Sequence, residues 1–489
     1  MRSIRSTVPT VIALAALAAG FAGTGSAQAS AQASAQASGQ ASGQEPDRPV
    51  GWASTGNGVT GGTGAAADSV YVVRDRQGLV DAFANHGDPA SPKVVYVDGV
   101  IDGNATADGR LLGAQDYAPG WDIGKYQSCF GPDGTEWSDT RFDYCKTQRT
   151  LRVTGSNNQK RQIQLTVPSN TTLIGVGSGA WLRGVYLTVN RGTNIVVRNL
   201  NLEAPVDHFT AWDPGDGAQG AWNARFDAMS IVTGTNIWVD HCTFTDGRYP
   251  DDQAETGFHG EHIQHHDGLL DMEDGTDLVT VSWSRFLDHD KSLLIGSGDS
   301  HADKDAGHLR ITFQGNLFDG AVQRSPRVRF GAVHLLNNYY VADADRSTYA
   351  MRTEANGGPG YFVGMGYESQ IYSDHNVFEY AGPGASDDVL LRNWKGYRIS
   401  DDGSWYNGAP ARLVEVARSK YEAAAAAARD DAAANGTTPP AWATVGFSAD
   451  AGWRPSDVYS YPALTNPTAV KSAVLARSGT GKLDVDPPR

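Results

Sequence analysis

The sequence has little cysteine, little charge and no long apolar run beyond its N-terminus. Three cysteines in 489 residues are too few for a fold built on disulfides. Charged residues make up 19% while glycine occurs 57 times, a balance that favours turn-rich β structure over long solvated helices. No later stretch of about 20 apolar residues appears, so we expect no membrane-spanning helix.

Positive charge is also scarce. The formal net charge is -15, which argues against nucleic acid as a partner, because phosphate binding needs a basic surface. An acidic substrate would need a local device that reverses the field, either a metal ion or clustered Lys and Arg. The sequence contains candidates for both.

The N-terminus has the pattern of an export signal. Two arginines precede an apolar stretch from Val8 to Phe21 and the small-residue triplet Ala27-Gln-Ala29. We therefore predict a signal peptide over residues 1–29 and a secreted, extracellular protein. Residues 30–48 repeat Ala, Gln, Ser and Gly, a composition that predicts a disordered leader. Residues 49–489 are then expected to form one catalytic domain.

The cysteines suit an exported protein. Cys129 and Cys145 flank a loop-like stretch and are able to pair after export, or to stay reduced. Cys242 would remain as a buried thiol.

Short apolar runs closed by a polar residue recur along the chain. We align the polar position of six such segments at Asn199, His241, Ser284, Asn316, Asn338 and Asn376. The shortest gap suggests a coil of about 22 residues, with loops inserted in the longer gaps. The pattern predicts an all-β solenoid, with Asn side chains hydrogen-bonded along the stack. A β-sandwich with irregular turns is the alternative.

Two segments outside the repeat stand out. The Ala-rich run from Tyr421 to Asn435 predicts a surface helix that ends before Gly436. The polar stretch from Asp251 to Gln264 predicts a long loop between coils, where functional residues tend to lie.

The densest acidic segment is Asp267-Gly-Leu-Leu-Asp271. On a strand, Asp267 and Asp271 would share one face, and Asp227 from the preceding coil would complete an oxygen-lined calcium site. Three solvated surface acids are the alternative.

The densest basic segment runs from Gln323 to Phe330. Arg327 and Arg329 would share a strand face, Arg324 precedes the bend at Pro326, and Lys291 comes from an earlier coil. Arg pairs with carboxylates through a fork of donors, so the row indicates an anionic ligand. A structural Arg row paired with acids is the alternative.

Histidine offers two weaker candidates. Four histidines within residues 259–266 suggest zinc, but a loop position does not supply the convergent ligands of a zinc site. The pair Asp240-His241 resembles a catalytic dyad, but His241 falls on the repeated polar position, which favours a structural role.

Together these motifs resemble the extracellular pectate lyases of polysaccharide lyase family 1. The resemblance rests on four ordered motifs: Trp238-Val-Asp-His241, Asp267-Gly-Leu-Leu-Asp271, His289-Asp-Lys291 and Gln323-Arg-Ser-Pro-Arg-Val-Arg-Phe-Gly331. It implies a right-handed parallel β-helix with long inserted loops and a few peripheral helices.

The resemblance also implies a function and a set of site residues. It implies a monomeric, calcium-dependent lyase that cleaves polygalacturonate by β-elimination to 4,5-unsaturated oligogalacturonides, without nucleic acid or membrane partners. Asp227, Asp267 and Asp271 match the calcium ligands. Arg324 matches the catalytic base, and Lys291 and Arg329 match the groups that bind the substrate carboxylate. All six implied site residues are present.

The roles of Arg324 and Arg327 and two alternative functions have to be judged against the structure. A guanidinium normally keeps its proton, with a pKa above about 12, so we expect neighbouring cations and alkaline pH to favour neutral Arg324. By the resemblance, Arg327 is a structural residue. The alternative functions are a β-helical polygalacturonan hydrolase with paired carboxylates and a non-catalytic pectin-binding β-helix.

Overall fold

The computed structural model describes residues 48–217, 219–343, 360–382 and 385–487. The predicted signal peptide and the leader up to Asp47 lie outside the described residues. Within them, no helix combines the length and apolar character needed to cross a membrane.

Three long β-sheets wind around one core as a right-handed parallel β-helix, which confirms the predicted fold. A representative coil has the strand Met229–Val232 in the first sheet, Thr235–Asp240 in the second and Thr243–Thr245 in the third. Each strand pairs in parallel with its counterpart one coil later, for example Ser230 with Asp271. The sandwich alternative is therefore wrong.

The sheets contain the following strands. The first sheet contains Gln164–Thr166, Tyr186–Asn190, Met229–Val232, Leu270–Glu273, Leu294–Ile295, Arg327–Val328, Val363–Gly366 and Leu391–Trp394. The second sheet contains Val70–Val73, Lys93–Val97, Thr171–Gly175, Thr193–Arg198, Thr235–Asp240, Asp277–Ser282, Ile311–Gln314, Ala332–Leu336, Gln370–Asp374 and Ile399–Asp402. The third sheet contains Val100–Asp102, Trp181–Arg183, Asn201–Glu203, Thr243–Thr245, Arg285–Lys291, Leu317–Gln323, Tyr339–Asp343, Val377–Ala381, Trp405–Tyr406 and Ala409–Pro410. A separate antiparallel pair contains Ala211–Asp213 and Ala221–Asn223.

Helices lie outside these sheets. The α-helices are Arg76–Ala84, Ala114–Tyr117, Ile123–Ser128, Cys145–Ile163, Ala302–Asp305, Leu413–Ala434 and Pro467–Arg477. The short 3₁₀ turns are Trp52–Ser54, Ala67–Ser69, Asn85–Gly87, Pro132–Gly134, Asp251–Gln253, Phe258–Gly260, Asp387–Leu390, Ala441–Thr444 and Pro455–Asp457.

The predicted Ala-rich helix is present and is longer than expected. The helix begins at Leu413 rather than Tyr421, and its buried face, with Tyr421 inside, joins the main core beside the last coils. Such a cover shields the end of a solenoid from water.

Cys129 and Cys145 form a disulfide, and Cys242 is a buried free thiol as predicted.

Aromatic rings stack along the inside of the helix. Phe244, Phe286, Phe318, Tyr340 and Phe378 come from consecutive coils, and their ring centroids are 5.0, 4.9, 4.7 and 4.5 Å apart. In the backbone pairing between coils, each of these residues also lies directly opposite the next one in the stack. The backbone pairing and the ring stack therefore favour the same alignment of successive coils.

The polar ladder exists, but our alignment of its first two members is wrong by one residue. Ser284, Asn316, Asn338 and Asn376 align with Cys242, and the Cys242 amide donates to Ser284 Oγ. Asn199 and His241 belong to the preceding position, where each chain segment turns with a positive φ, 55° and 50°. Asn favours that conformation, which explains why the sequence pattern misled us.

Most of the long loops connect the third sheet to the first, and residues 296–310 connect the first sheet to the second. The predicted loop over Asp251–Gln264 lies between the strands Thr243–Thr245 and Leu270–Glu273, and it contains two short 3₁₀ turns and one antiparallel bridge between Thr256 and His262. It packs on an aromatic cluster through Phe258 and Ile263. The prediction of a loop between coils is confirmed.

The Asn ladder predicts a large effect of one substitution. Asn338 is fully buried, and its Oδ1 accepts hydrogen bonds from the Asn316 amide and side chain, both 3.0 Å. Asn338→Ala leaves the Asn316 amide unpaired and removes one of the two acceptors of the Asn316 side chain, so we expect the free energy of unfolding to fall by about 2–3 kcal/mol in denaturant titrations. The exposed control Asn435→Ala should change it by less than about 0.5 kcal/mol. Equal effects of the two would refute a stabilising ladder.

Candidate active site

Three acids lie at one edge of the first sheet. Asp227 precedes the strand Met229–Val232, and Asp271 lies in the next strand, Leu270–Glu273. Parallel strands start at the same edge, so the acids of successive coils lie side by side. Asp267 precedes its strand, so our placement of Asp267 and Asp271 on one strand face is wrong, although the two carboxylates still interact.

Hydrogen bonds tie two of the three acids to the following coil. Asp227 Oδ1 accepts from the Gly268 amide at 2.8 Å, and its Oδ2 accepts from Ser230 Oγ. Asp271 Oδ1 accepts from the Leu294 amide at 2.9 Å. These bonds fix two of the carboxylates relative to the backbone.

The acids share one negative field. Burial and then the charge of Asp267 raise the pKa of Asp227. Burial, followed by Asp227 and Asp267, raises the pKa of Asp271 well above its ordinary value. Such mutual repulsion between buried carboxylates is relieved by a cation.

The donor set suits a hard divalent cation such as calcium, which prefers carboxylate oxygens. Among the described residues, however, no group of three His, Cys, Asp or Glu side chains is arranged to hold a metal ion by itself. Calcium takes six to eight oxygen ligands, so a bound ion here would also need oxygens from water or from a ligand.

Two cationic side chains lie at the same edge. Lys291 ends the strand Arg285–Lys291, and its Nζ lies 2.7 Å from Gln264 Oε1 and 3.4 Å from Asp267 Oδ1. Lys291 pairs in register with Gln323, so Arg324 lies one coil further along. The buried Nε of Arg324 has no hydrogen-bond partner among the described residues.

The protonation of Arg324 differs from our expectation. Burial by itself would lower its pKa, but Tyr361, Asp267 and Asp271 outweigh burial and raise the pKa above its ordinary value. The expected dominance of neighbouring cations is therefore wrong for the protein alone. The same acids that surround Arg324 hold its proton.

The remaining arginines lie one strand later. Arg329 Nε lies 2.9 Å from Asp299 Oδ1, and its Nη1 lies 2.8 Å from the Gly296 carbonyl oxygen. Arg327 places its guanidinium over the ring of Trp394, 4.2 Å from the centroid. Both line one cavity, as the expected common face requires.

Sequence reasoning missed the groups that hold these side chains. His289 Nδ1 lies 2.7 Å from Asp246 Oδ1, and its Nε2 lies 2.7 Å from the Asp267 carbonyl oxygen. Burial opposes protonation of His289, but Asp246 raises its pKa to about 9. The motif around Lys291 contains His289, whereas Asp246 and Asp299 lie in segments without periodicity and gave no signal.

The other histidines contact protein groups. His241 Nδ1 lies 2.7 Å from Asp240 Oδ2, and Asp240 also accepts from Arg198 and Ser282. This buried network lies at the turn between the second and third sheets, which supports the structural interpretation. In the loop, His266 contacts two carbonyl oxygens and His265 contacts Glu255.

A parallel β-helix with acids and bases along one sheet edge is the architecture of a class of polysaccharide-cleaving enzymes. The model of the pectate lyase family matches residues 148–483. A pectate lyase of Bacillus subtilis (strain 168) is 34% identical over 435 residues, which are 89% of this chain and 92% of the relative. Pectate lyase D of Dickeya chrysanthemi is 32% identical over 88% of this chain and 89% of its own.

Solved structures agree with the sequence relatives. A pectate lyase bound to hexasaccharide superposes with a TM-score of 0.75 at 33% identity, over 89% of this chain and 97% of that one. The chain belongs to the pectate lyase family, and it is a polysaccharide lyase.

The repulsion among the acids gives a test without substrate. In the folded protein without metal, Asp271 must either take up a proton or stay charged against Asp227 and Asp267, and both cost free energy. Asp271→Asn removes this cost and keeps an oxygen for the Leu294 amide, so in chelator at mildly alkaline pH we expect Tm to rise by about 2–4 °C. The exposed control Asp303→Asn should leave Tm within about 1 °C. A lower Tm for Asp271→Asn would contradict the electrostatic account.

Proposed function

We propose that this protein is a calcium-dependent pectate lyase that cleaves α-1,4-polygalacturonate by β-elimination and releases 4,5-unsaturated oligogalacturonides. The observation that carries the proposal is the meeting of Asp227, Asp267 and Asp271 with Lys291 and Arg324 at one sheet edge. The enzyme acts as a secreted monomer whose catalytic domain spans residues 49–489.

Asp227, Asp267 and Asp271 would hold the calcium ion. Their mutual repulsion favours a bound cation, and their oxygens are the ligands that calcium prefers. When bound, calcium would offset the negative field on Arg324 and polarise a substrate carboxylate.

Different side chains of the protein then carry out different parts of the reaction. Lys291 and Arg329 bind the carboxylate of the sugar that loses its proton, so charge that develops next to C5 is stabilised. With the field of the acids offset, Arg324 would first release its own proton to solvent, and the neutral guanidine would then accept the C5 proton. The released electron pair forms the C4–C5 double bond while the C4–O bond breaks, and the leaving oxygen takes a proton from solvent.

The proposed secretion has two supports. Residues 1–29 have the composition of a signal peptide, and the disulfide Cys129–Cys145 is typical of oxidising compartments.

The reaction type is tested by comparing two products. Polygalacturonate is incubated with the protein in calcium or in chelator, and both ultraviolet absorbance and new reducing ends are measured. We expect absorbance that requires calcium. Reducing ends without absorbance would indicate a hydrolase. Binding without either product would indicate a pectin-binding protein.

Arg324 gives the sharpest mutational test. Arg324→Ala should lower kcat by about 100-fold or more, because the proton acceptor is lost, while calorimetry still detects calcium binding. The matched control Arg149→Ala removes a surface arginine with a side chain 52% exposed and should keep wild-type kcat. Full turnover by Arg324→Ala would remove Arg324 from the mechanism.

A further inference from the structure

A cationic cavity adjoins the proposed site on the side of the later coils. Its volume is about 490 Å³, and its lining includes Asp299, Arg327, Arg329, Trp394, Lys395 and Trp442. Arg329 is therefore shared between the cavity and the residues that we assign to the reacting sugar. None of the other lining residues has a role in the proposed reaction.

A strand without side chains on one face lets Arg327 reach into this cavity. Arg327 pairs in register with Gly364, and Trp394 lies on the next strand, paired with Gly366. A Cβ on Gly364 would approach Arg327 Cβ to 2.9 Å, and one on Gly366 would lie 2.3 Å from the Val328 carbonyl oxygen and 3.0 Å from Arg329 Cγ. The two glycines thus leave the space that both arginine side chains occupy.

The ring of Trp394 orients the guanidinium of Arg327. Their 4.2 Å separation is that of a cation–π contact, which holds the planar group in one orientation. Arg329 is held independently by Asp299 and Gly296. The two guanidinium groups are therefore fixed by different neighbours on one side of the sheet.

The cavity carries more positive than negative charge. The carboxylate of Asp299 forms ion pairs with two cations: its Oδ1 lies 2.9 Å from Arg329 Nε, and its Oδ2 lies 2.7 Å from Lys395 Nζ. Asp299 also acts on the charge of Arg327, so one acid serves three cations, and the buried Nε of Arg327 has no hydrogen-bond partner among the described residues. Burial and the charge of Arg329 lower the pKa of Arg327 to about 10. A half-buried cation that shares Asp299 with two other cations, in a chain of net charge -15, indicates an anionic ligand.

We propose that this cavity binds the carboxylate of a second galacturonate unit of the polymer, with Arg327 as the recognising group and Trp394 as its positioning residue. This inference rests on the proposed function, because Arg329 then holds the neighbouring unit. It replaces the structural role that the family resemblance implies for Arg327. The subsite favours free uronate over its methyl ester, since an ester carries no charge for Arg327 to bind.

The test compares two polymers. Arg327→Gln should lower kcat/KM on polygalacturonate about tenfold, mainly through KM, and narrow the preference for polygalacturonate over partly methyl-esterified pectin. Arg149→Gln is the matched control and should keep the wild-type preference. A purely structural role would lower both rates by the same factor and leave the preference unchanged, which would overturn the proposal.

A second variant guards against misfolding. Trp394→Leu keeps Arg327 but removes the ring that orients it, so the preference should narrow by a smaller factor, and Trp394→Phe should restore most of it. Wild-type preference in Trp394→Leu would contradict the positioning role.

Binding without turnover separates this inference from the proposed function. Calorimetry of trigalacturonate in the presence of chelator should show about tenfold weaker binding to Arg327→Gln than to the wild-type protein. If the wild-type protein makes no unsaturated product, the proposed reaction fails while this binding difference still judges the subsite. Equal affinities would refute the subsite even in an active lyase.

Discussion

Hydrogen-bonded register between successive coils determines where every proposed site residue lies. Backbone pairing aligns Ser230 with Asp271 and Lys291 with Gln323, and the buried ring and amide stacks reinforce the same alignment. Inserted loops differ in length, and most of them leave and enter the coils at the junction between the third and first sheets. Residues far apart in the sequence therefore meet at one edge of the first sheet, because the pairing of successive coils places them there.

The charges at that edge are organised in opposition. Buried carboxylates repel one another and hold the proton of Arg324, while Lys291 faces Asp267. A divalent cation would satisfy the acids and weaken their effect on Arg324 together. Metal binding and proton abstraction would in this way depend on the same three side chains. The cavity around Arg327 is likewise a local concentration of positive charge in a protein of net negative charge.

Much of this arrangement could be predicted from the sequence. Recurrent apolar runs gave the solenoid, and the four ordered motifs gave the family. The one-residue error at His241 arose because Asn and His also suit the left-handed turn that precedes the ladder. Asp246 and Asp299 could not be found, because their partners come from other coils and their own segments have no period. The charge balance around Arg324 likewise depends on distances that no local pattern encodes.

The central claim is that the three aspartates seat one calcium ion beside Arg324. It is tested most directly by a crystal structure of the Arg324→Ala variant with calcium and an oligogalacturonate. The account predicts an ion about 2.3–2.6 Å from oxygens of Asp227, Asp267 and Asp271, bridged to a sugar carboxylate. An oligosaccharide bound in the groove with no ion on these carboxylates, or with the ion elsewhere, would contradict it.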